Sequence, residues 1–351
     1  MQQSLSTFNH PEVAGQSVEG PSHRKDDIGC QDSWAAKKGE SYVVVAVGDG
    51  LGSAKRSAEG SQIATKIAAT ELNKWLQSDE VEIDEITQSE ARKAFQHAII
   101  RARKNIERVA AEFDSELSEY HTTLSLACNT LDWHAAIAIG DSGIVGITPD
   151  DEYQRLVDRE ESQTSTATVP LTGSPSLVKE KKRFSFEEYR MKSVVLFSDG
   201  LDRFTWSVEN QSKPREEFFV RLQNFISNVD SLESEEAQSE FKNFVDSDEF
   251  HNYSGDDKTL VVGHLPGSVS DTGTEQKGNK KYSDQQFINT VKSTEEPYVA
   301  KISNIVGCAE STASKRLKKL EEEGTLTSEK VGNKLTWKLT SSSACSSSQK
   351  N

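Results

Sequence analysis

The sequence predicts an α+β protein in which a large domain is followed by a small one. Short β-branched apolar runs, typical of buried strands, occur among stretches of helical periodicity over residues 1–265. A Gly/Ser/Thr/Lys-rich stretch at 266–281 is typical of a flexible linker. Beyond it, helical patterns and a hairpin pattern predict a separate domain at 282–340, before a disordered tail at 341–351.

Three of the predicted strands end in an acidic residue beside glycine. They are Tyr42–Gly48 before Asp49-Gly50, His134–Ile139 before Gly140-Asp141, and Val194–Phe197 before Asp199-Gly200. Other strands are expected at Thr123–Asn129, Gly143–Ile147 and Thr259–Gly263, and a polar arm is expected before the first strand, the one that ends at Asp49. This arrangement delivers carboxylates to strand ends.

Apolar residues recur at helical spacing in three long segments of the large domain. These segments are Ser57–Trp75, Glu90–Glu112 and the region near Glu216–Asn228. Residues 150–185 are charged, rich in Ser and Thr and poor in periodic apolar positions, so a mobile loop or flap is expected there.

Composition limits the class of protein. The net charge of −15 and a hydrophobic content of 34% indicate a highly solvated chain and argue against general nucleic-acid or membrane-surface binding. Apolar runs are too short to span a bilayer, and the N-terminus carries no signal-peptide pattern. The four scattered cysteines favour free thiols in a reducing compartment, so a cytoplasmic location is expected.

The strand-end carboxylates predict a metal site. Asp49, Asp199 and Asp256 offer the oxygen ligands that Mg²⁺ and Mn²⁺ prefer, and two such ions can share one carboxylate and activate water for attack on phosphorus. Any single Asp-Gly pair is more often a turn, so the prediction depends on their repetition. The sequence lacks G-x-S-x-G and H-E-x-x-H motifs and a P-loop.

Six motifs in order resemble the metal-dependent 2C-type serine/threonine protein phosphatases. They are Cys30-Gln31-Asp32, Asp49-Gly50-Leu51-Gly52-Ser53, Thr122-Thr123-Leu124, Gly140-Asp141-Ser142, Phe197-Ser198-Asp199-Gly200 and Asp256-Asp257-Lys258-Thr259. The resemblance covers residues 10 to 265. It implies an αββα sandwich, two antiparallel sheets flanked by helices, with the metal ions at one end between the sheets.

The resemblance also implies roles for individual residues. Asp49 would bridge two Mn²⁺ or Mg²⁺ ions, and the Gly50 carbonyl would bind one of them. Asp199 and Asp256 would complete the first ion's ligands, Asp32 would hold the second ion through water, and Asp141 matches the position of a weaker third ion. Water activated at the ion pair would attack phosphoserine or phosphothreonine in a protein substrate.

The chain departs from the family pattern at three places. Gln31 stands where many members have Glu, Leu51 stands where some have a His, and Asp27 lies near the usual place of the phosphate-binding Arg. Arg24 is therefore the candidate phosphate contact and His23 a candidate proton donor, each weighed against an ordinary solvated side chain. These departures support an alternative hypothesis, a transcriptional regulator whose phosphatase-like domain is a catalytically weak phospho-sensor.

The predicted helix, turn, helix and hairpin at 282–340 resemble a winged helix-turn-helix domain. A recognition helix would present polar and basic residues to a DNA groove or to phosphates. The candidates are Ser311, Thr312, Ser314, Lys315 and Lys318. Because acidic and basic residues nearly balance here, protein docking or dimerisation is an equal alternative to DNA binding, and a phosphatase targeted to DNA-bound substrates combines both domains.

Overall fold

The computed structural model describes residues 10–158, 168–207, 213–266, 284–294, 297–306, 310–322, 324–331 and 334–340. The chain divides into two compact units, Met1–Val269 and Ser270–Asn351. Apart from Pro266, the predicted linker at 266–281 and the predicted tail at 341–351 lie outside the described residues. Among the described helices, none combines the length and the apolar character needed to cross a membrane.

The first unit contains two five-stranded sheets in which all neighbouring strands are antiparallel. The first sheet has the order β1 (Glu12–Val18), β10 (Lys258–His264), β9 (Ser193–Phe197), β6 (Gly143–Ile147), β7 (Tyr153–Arg155). The second has the order β2 (Ser33–Lys38), β3 (Tyr42–Gly48), β4 (Leu124–Thr130), β5 (His134–Ile139), β8 (Arg183–Glu187).

Eight α-helices accompany these sheets in the described part of the first unit. They are α1 (Pro21–Asp26), α2 (Ser57–Leu76), α3 (Gln88–Glu112), α4 (Pro175–Lys181), α5 (Asp202–Thr205), α6 (Glu216–Asn228), α7 (Glu235–Val245) and α8 (Asp248–His251). The three long helical predictions are confirmed. Helix α3 begins two residues before its predicted start because Thr87 and Glu90 form a capping box.

The apolar residues form three layers, which explains why β3 is buried on both faces. Val43, Val45 and Val47 lie in the core between the two sheets. The alternate residues Val44 and Ala46 lie in the core between the second sheet and helices α2 and α3. A third core joins the first sheet to α6, α7 and α8. The two antiparallel sheets with flanking helices agree with the predicted sandwich.

The prediction that the strand ending at Asp49 is the first was wrong, because two strands precede it. Strands β1 and β2 are only partly buried, and neither carries the β-branched run that marks a central strand. Both lie at the edge of a sheet, where one side of the strand has no neighbour. Their pairing with β10 and β3 therefore decides their structure more than their own sequence does.

The segment 150–185, predicted to be a mobile loop or flap, includes regular elements where it is described. It contains β7, α4 and the first residues of β8, while residues 159–167 lie outside the described part. Strand β8 does alternate, with Phe184 and Phe186 separated by Ser185. The charged residues around it concealed this short pattern.

The described residues of the second unit form three helices and a two-stranded antiparallel sheet. These elements are α9 (Asp284–Ser293), α10 (Val299–Val306), α11 (Glu310–Glu322), β11 (Leu326–Val331) and β12 (Lys334–Leu339). Phe287, Ile302, Leu317 and Trp337 come from four of these elements and form a common buried core. The individual helices and strands match their predictions, and their assignment to a winged helix-turn-helix domain stays a prediction.

Gly15 on β1 permits close contact between the sheets. A Cβ atom at this position would lie 2.7 Å from the Trp34 ring on β2. We expect Gly15→Ala to lower the free energy of unfolding by about 1–3 kcal/mol because the ring must shift in a packed interior. Gly52→Ala is the control, since its Cβ would come no closer than 3.9 Å to another residue. Equal urea-unfolding midpoints for the two variants would contradict the close contact.

Candidate metal centre

Asp49 follows the buried strand β3, and its peptide group is held on both sides. Its N–H donates to Thr123 Oγ1 at 2.9 Å, while its carbonyl accepts from Thr123 N at 2.8 Å and from Thr122 Oγ1 at 3.0 Å. Both threonines are buried. The Thr122-Thr123 motif therefore acts on the backbone of Asp49 and leaves its carboxylate available.

Three of the predicted acids converge at one end of the sandwich. Carboxylate oxygens of Asp49, Asp141 and Asp199 all lie within 4.8 Å of one another. Asp49 and Asp141 follow β3 and β5, which run in the same direction because both are antiparallel to β4. Asp199 comes from the other sheet, so tertiary packing of the sheets assembles the site.

Asp32 and Asp256 belong to the same electrostatic group. The charges of both residues act on Asp49, together with those of Asp141 and Asp199. Asp32 is buried and its Oδ2 atom has no hydrogen-bond partner in the described structure, whereas Asp256 is exposed at the rim. The carboxylates of Asp49, Asp141 and Asp199 therefore form the cluster, and Asp32 and Asp256 lie near enough for their charges to act on Asp49.

Burial and mutual repulsion raise the pKa values of these carboxyls. Burial, opposed in part by the hydroxyls of Ser198 and Thr259 and reinforced by neighbouring charges, raises the pKa of Asp32 to about 8. Burial, then the charges of Asp141 and Asp256, raises the pKa of Asp199 to about 7. The pKa of Asp49 lies well above its ordinary value for the same reasons. At neutral pH such a cluster needs a positive partner.

These residues fit divalent metal ions. A buried carboxylate oxygen without a partner is costly unless a cation or a proton satisfies it. The donors are carboxylate oxygens, which suit Mg²⁺ and Mn²⁺, and the cluster contains no described Cys or His ligand that would favour a softer metal.

Gly50 allows two chain segments of the site to lie close together because it has no side chain. A Cβ at Gly50 would lie 2.6 Å from the Gln31 carbonyl, so only glycine allows the Asp49 turn to approach the Asp32 segment this closely. Gly50 also forms a β-bridge with Thr122. The binding of a metal ion by the Gly50 carbonyl stays a prediction.

Asp257 is a structural residue whose role the sequence did not indicate. It is buried, and its carboxylate accepts from Gly20 N at 2.7 Å and from Gln31 N at 2.6 Å. One carboxylate thus joins the β1–α1 junction to the segment that carries Asp32. The signal available in the sequence was the paired Asp256-Asp257, in which only the first was considered as a ligand.

Lys258 is a second such residue, with a side chain buried beneath the Asp256 turn. Its Nζ donates to the carbonyls of Ser254 at 2.9 Å and Asp256 at 2.7 Å. Burial lowers the pKa of this ammonium, and the charges of Asp256 and Asp257 oppose that effect. The lysine therefore braces the turn that presents Asp256.

Arg24, the candidate phosphate contact, and His23, the candidate proton donor, both lie on α1 but contact different residues. His23 Nδ1 lies 2.9 Å from Asp257 Oδ1, close enough for an ion pair but outside hydrogen-bond alignment. Arg24 is half-exposed, and its Nη2 donates to Asp246 Oδ1 at 2.6 Å. His23 therefore lies against Asp257, and Arg24 lies against Asp246.

The candidate residues of the second unit lie on α11. Lys315 and Lys318 are exposed and Ser314 is half-buried. The side chains of Ser311 and Thr312 lie outside the described part of the structure.

Comparison with known proteins identifies the family. The family model for protein phosphatase 2C matches residues 19–246, more than half of the chain. The chain belongs to the protein phosphatase 2C family. The match ends before Asp256, whose charge acts on Asp49 in the structure. No curated protein sequence matches the chain.

Solved structures of protein phosphatase 2C type and related proteins are similar to this chain at low identity. The Mycobacterium tuberculosis serine/threonine phosphatase PstP is 16% identical, with 73% of this chain and 99% of that chain covered and a TM-score of 0.45. RsbX in complex with magnesium is 15% identical, with 74% and 96% covered and a TM-score of 0.42. A C. elegans sex determining protein is 12% identical, with 75% and 67% covered and a TM-score of 0.51.

The raised pKa values predict how the stability of the metal-free protein depends on pH. The folded pKa values of Asp32 and Asp199 lie above the ordinary 3.8, so the folded state binds more protons than the unfolded state. Stability is therefore greatest below about pH 4 for these groups and is lost as pH rises through about 7 to 8.

Asp199→Asn removes one of these charges and should reduce the loss of thermal stability between pH 5 and pH 8.5 in the presence of a chelator. Asp151→Asn is the control, because Asp151 lies outside the cluster and pairs with Lys192 Nζ at 2.6 Å. Thermal unfolding at both pH values measures the difference. Identical pH dependence for wild type and Asp199→Asn would show that the cluster is not under electrostatic strain.

Proposed function

We propose that the first unit is a protein serine/threonine phosphatase that uses two Mn²⁺ or Mg²⁺ ions, with a weaker third. Membership of the protein phosphatase 2C family supports the reaction class, and the observation that carries the proposal is the convergence of Asp49, Asp141 and Asp199 within 4.8 Å. The substrates are phosphoproteins. The free thiols of Cys30 and Cys128 are compatible with a cytoplasmic location.

Each acid has a proposed role in holding the ions. Asp49, the Gly50 carbonyl, Asp32, Asp199 and Asp256 would hold the ion pair, and Asp141 would hold the weaker third ion. When bound, such ions lower the pKa of water and neutralise phosphoryl oxygens. The burial of Asp32 supports its role, because shielding from water strengthens the attraction between a carboxylate and a cation.

Arg24 and His23 are the proposed substrate-side residues. A guanidinium matches the geometry of a phosphate, but Arg24 must exchange its bond to Asp246 for one to the substrate. His23 is the candidate proton donor, and its Nδ1 lies 2.9 Å from Oδ1 of the buried Asp257 carboxylate. Asp257 also holds the Gln31 backbone, so it joins His23 to the segment of Asp32.

The alternative is a phospho-sensor with weak or no turnover. The engagement of Arg24 by Asp246, together with Gln31 and Leu51 at positions where many relatives have ionisable residues, supports this second candidate. Leu51 contacts the neighbouring loop through its backbone, whose N–H donates to the His121 carbonyl at 3.0 Å. Turnover distinguishes the two functions.

Hydrolysis of a phosphothreonine peptide by the full chain tests the phosphatase proposal. We expect activity that requires Mn²⁺ or Mg²⁺ and that falls in Asp199→Asn by more than the ~10–100-fold typical of losing a residue that only supports a ligand. Asp151→Asn should keep full activity. Peptide binding without metal-dependent hydrolysis would favour the sensor, and neither binding nor hydrolysis would remove both candidates.

We further propose that the second unit is a winged helix-turn-helix domain that targets the phosphatase to DNA or to a protein. The order of three helices and a hairpin supports this assignment, and the exposed Lys315, Lys318 and Lys319 on α11 support contact with phosphates. The acidic residues that follow at the end of α11 offset this charge, which keeps protein docking open.

Binding of the full chain to DNA fragments at two salt concentrations tests the role of α11. We expect Lys315→Ala/Lys318→Ala to weaken binding and to reduce the slope of log affinity against log salt by roughly one for each phosphate that the helix no longer neutralises. Lys292→Ala on α9 is the control, being exposed but on another helix. Salt-independent binding, or equal binding by both variants, would favour a protein partner.

A further inference from the structure

A six-residue segment, Thr168–Gly173, bonds to Asp141 of the acidic cluster and to Thr122, which holds the backbone of Asp49. We call this segment the strap. Thr168 Oγ1 donates to Asp141 Oδ2 at 2.5 Å. Leu171 N donates to the carbonyl of Thr122 at 2.7 Å, and the hydroxyl of that same threonine donates to the Asp49 carbonyl. The strap therefore bonds directly to one acid of the cluster and, through Thr122, to the backbone of another.

Apolar burial and one further polar contact attach the strap to the second sheet and its helices. Val169 and Leu171 lie in the core between that sheet and helices α2 and α3. The buried Thr172 hydroxyl lies 2.7 Å from His121 Nδ1, next to Thr122 in the chain. A bond from Gly173 N to the Pro170 carbonyl at 2.9 Å closes a turn within the segment.

Arg103 on α3 holds the backbone of the strap. Its Nη1 donates to the Leu171 carbonyl at 2.9 Å and to the Gly173 carbonyl at 2.5 Å, while its Nε donates to Glu107 at 2.7 Å. The guanidinium is mostly buried, with 18% of the side chain exposed. An ion pair with Glu107 at the surface would contribute little to stability by itself. The charge-assisted hydrogen bonds from Arg103 to the carbonyls of Leu171 and Gly173 are stronger, and they fix the position of the strap.

The cluster needs such a restraint because its members repel one another. Without a cation, carboxylates within 4.8 Å move apart unless their backbones are held. We propose that the strap sets the distance between Asp49 and Asp141, and that Arg103 is the positioning residue that holds it, so that both are required for tight divalent-cation binding. This inference rests on the proposed metal-dependent function of the same site.

Mn²⁺ titration of the full chain, followed by calorimetry and by the shift in thermal unfolding, tests the inference. Arg103→Ala removes both carbonyl bonds, and Thr168→Val removes one hydroxyl from an otherwise similar side chain. We expect the half-saturating Mn²⁺ concentration to rise roughly tenfold or more in each, the range typical for residues that support a ligand. Arg103→Lys, which keeps a cationic donor, should recover part of the affinity.

Arg101→Ala is the matched control, because Arg101 lies on the same helix, is half-exposed and pairs with Glu71 at 3.6 Å. It should bind Mn²⁺ as wild type does. A merely structural role for Arg103 would lower the metal-free unfolding temperature without moving the half-saturating concentration, and that result would overturn the inference. Unchanged or tighter binding by Thr168→Val would overturn it as well.

The outcomes separate this inference from the proposed function. Wild-type protein that binds no Mn²⁺ would contradict the metal-dependent function and the strap together. Wild-type protein that binds Mn²⁺ only as tightly as both variants do would contradict the strap alone. If Arg103→Ala does not fold, Thr168→Val decides, because it leaves the carbonyl bonds of Arg103 intact.

Discussion

Repulsion among buried carboxylates is the constraint on which the rest of the first unit depends. Asp32, Asp49 and Asp199 have raised pKa values because burial and neighbouring charges disfavour their ionised forms. A cluster of this kind persists only where the surrounding structure holds each member more firmly than repulsion drives it apart. The sandwich meets this condition by attaching each acid to the end of a strand.

Several of the restraints act on backbones, while Thr168 acts on the carboxylate of Asp141. Thr122 and Thr123 hold the peptide group of Asp49, and Lys258 braces the carbonyl side of the Asp256 turn. Asp257 joins two chain segments that are far from it in sequence by accepting from Gly20 and Gln31. Metal binding and folding are coupled in such a site, because a cation relieves the same repulsion that destabilises the metal-free protein.

The candidate phosphate contact and the candidate proton donor already have partners, whereas three carboxylates of the metal centre converge on one another. Arg24 is already paired with Asp246, and His23 contacts Asp257. A phosphate group would have to compete with Asp246 for the Arg24 guanidinium. The same ion pair explains why phosphatase and phospho-sensor functions both remain candidates for one metal-binding fold.

Central elements and strand-end acids could be predicted from the sequence because their signals are local. Strand β3 carries a continuous β-branched run, and α3 has helical periodicity. Asp49, Asp141 and Asp199 follow the ends of β3, β5 and β9 within two residues. Edge strands such as β1 and β8 could not be predicted, since pairing with a neighbour stabilises them more than their own residues do. The sequence by itself determined which carboxylates are available and at which strand ends they lie. The tertiary structure alone decided that Asp257 and Lys258 support the site. It also decided that Arg24 pairs with Asp246 and that Arg103 bonds to the strap. These contacts join residues distant in the chain and depend on the packing of two sheets.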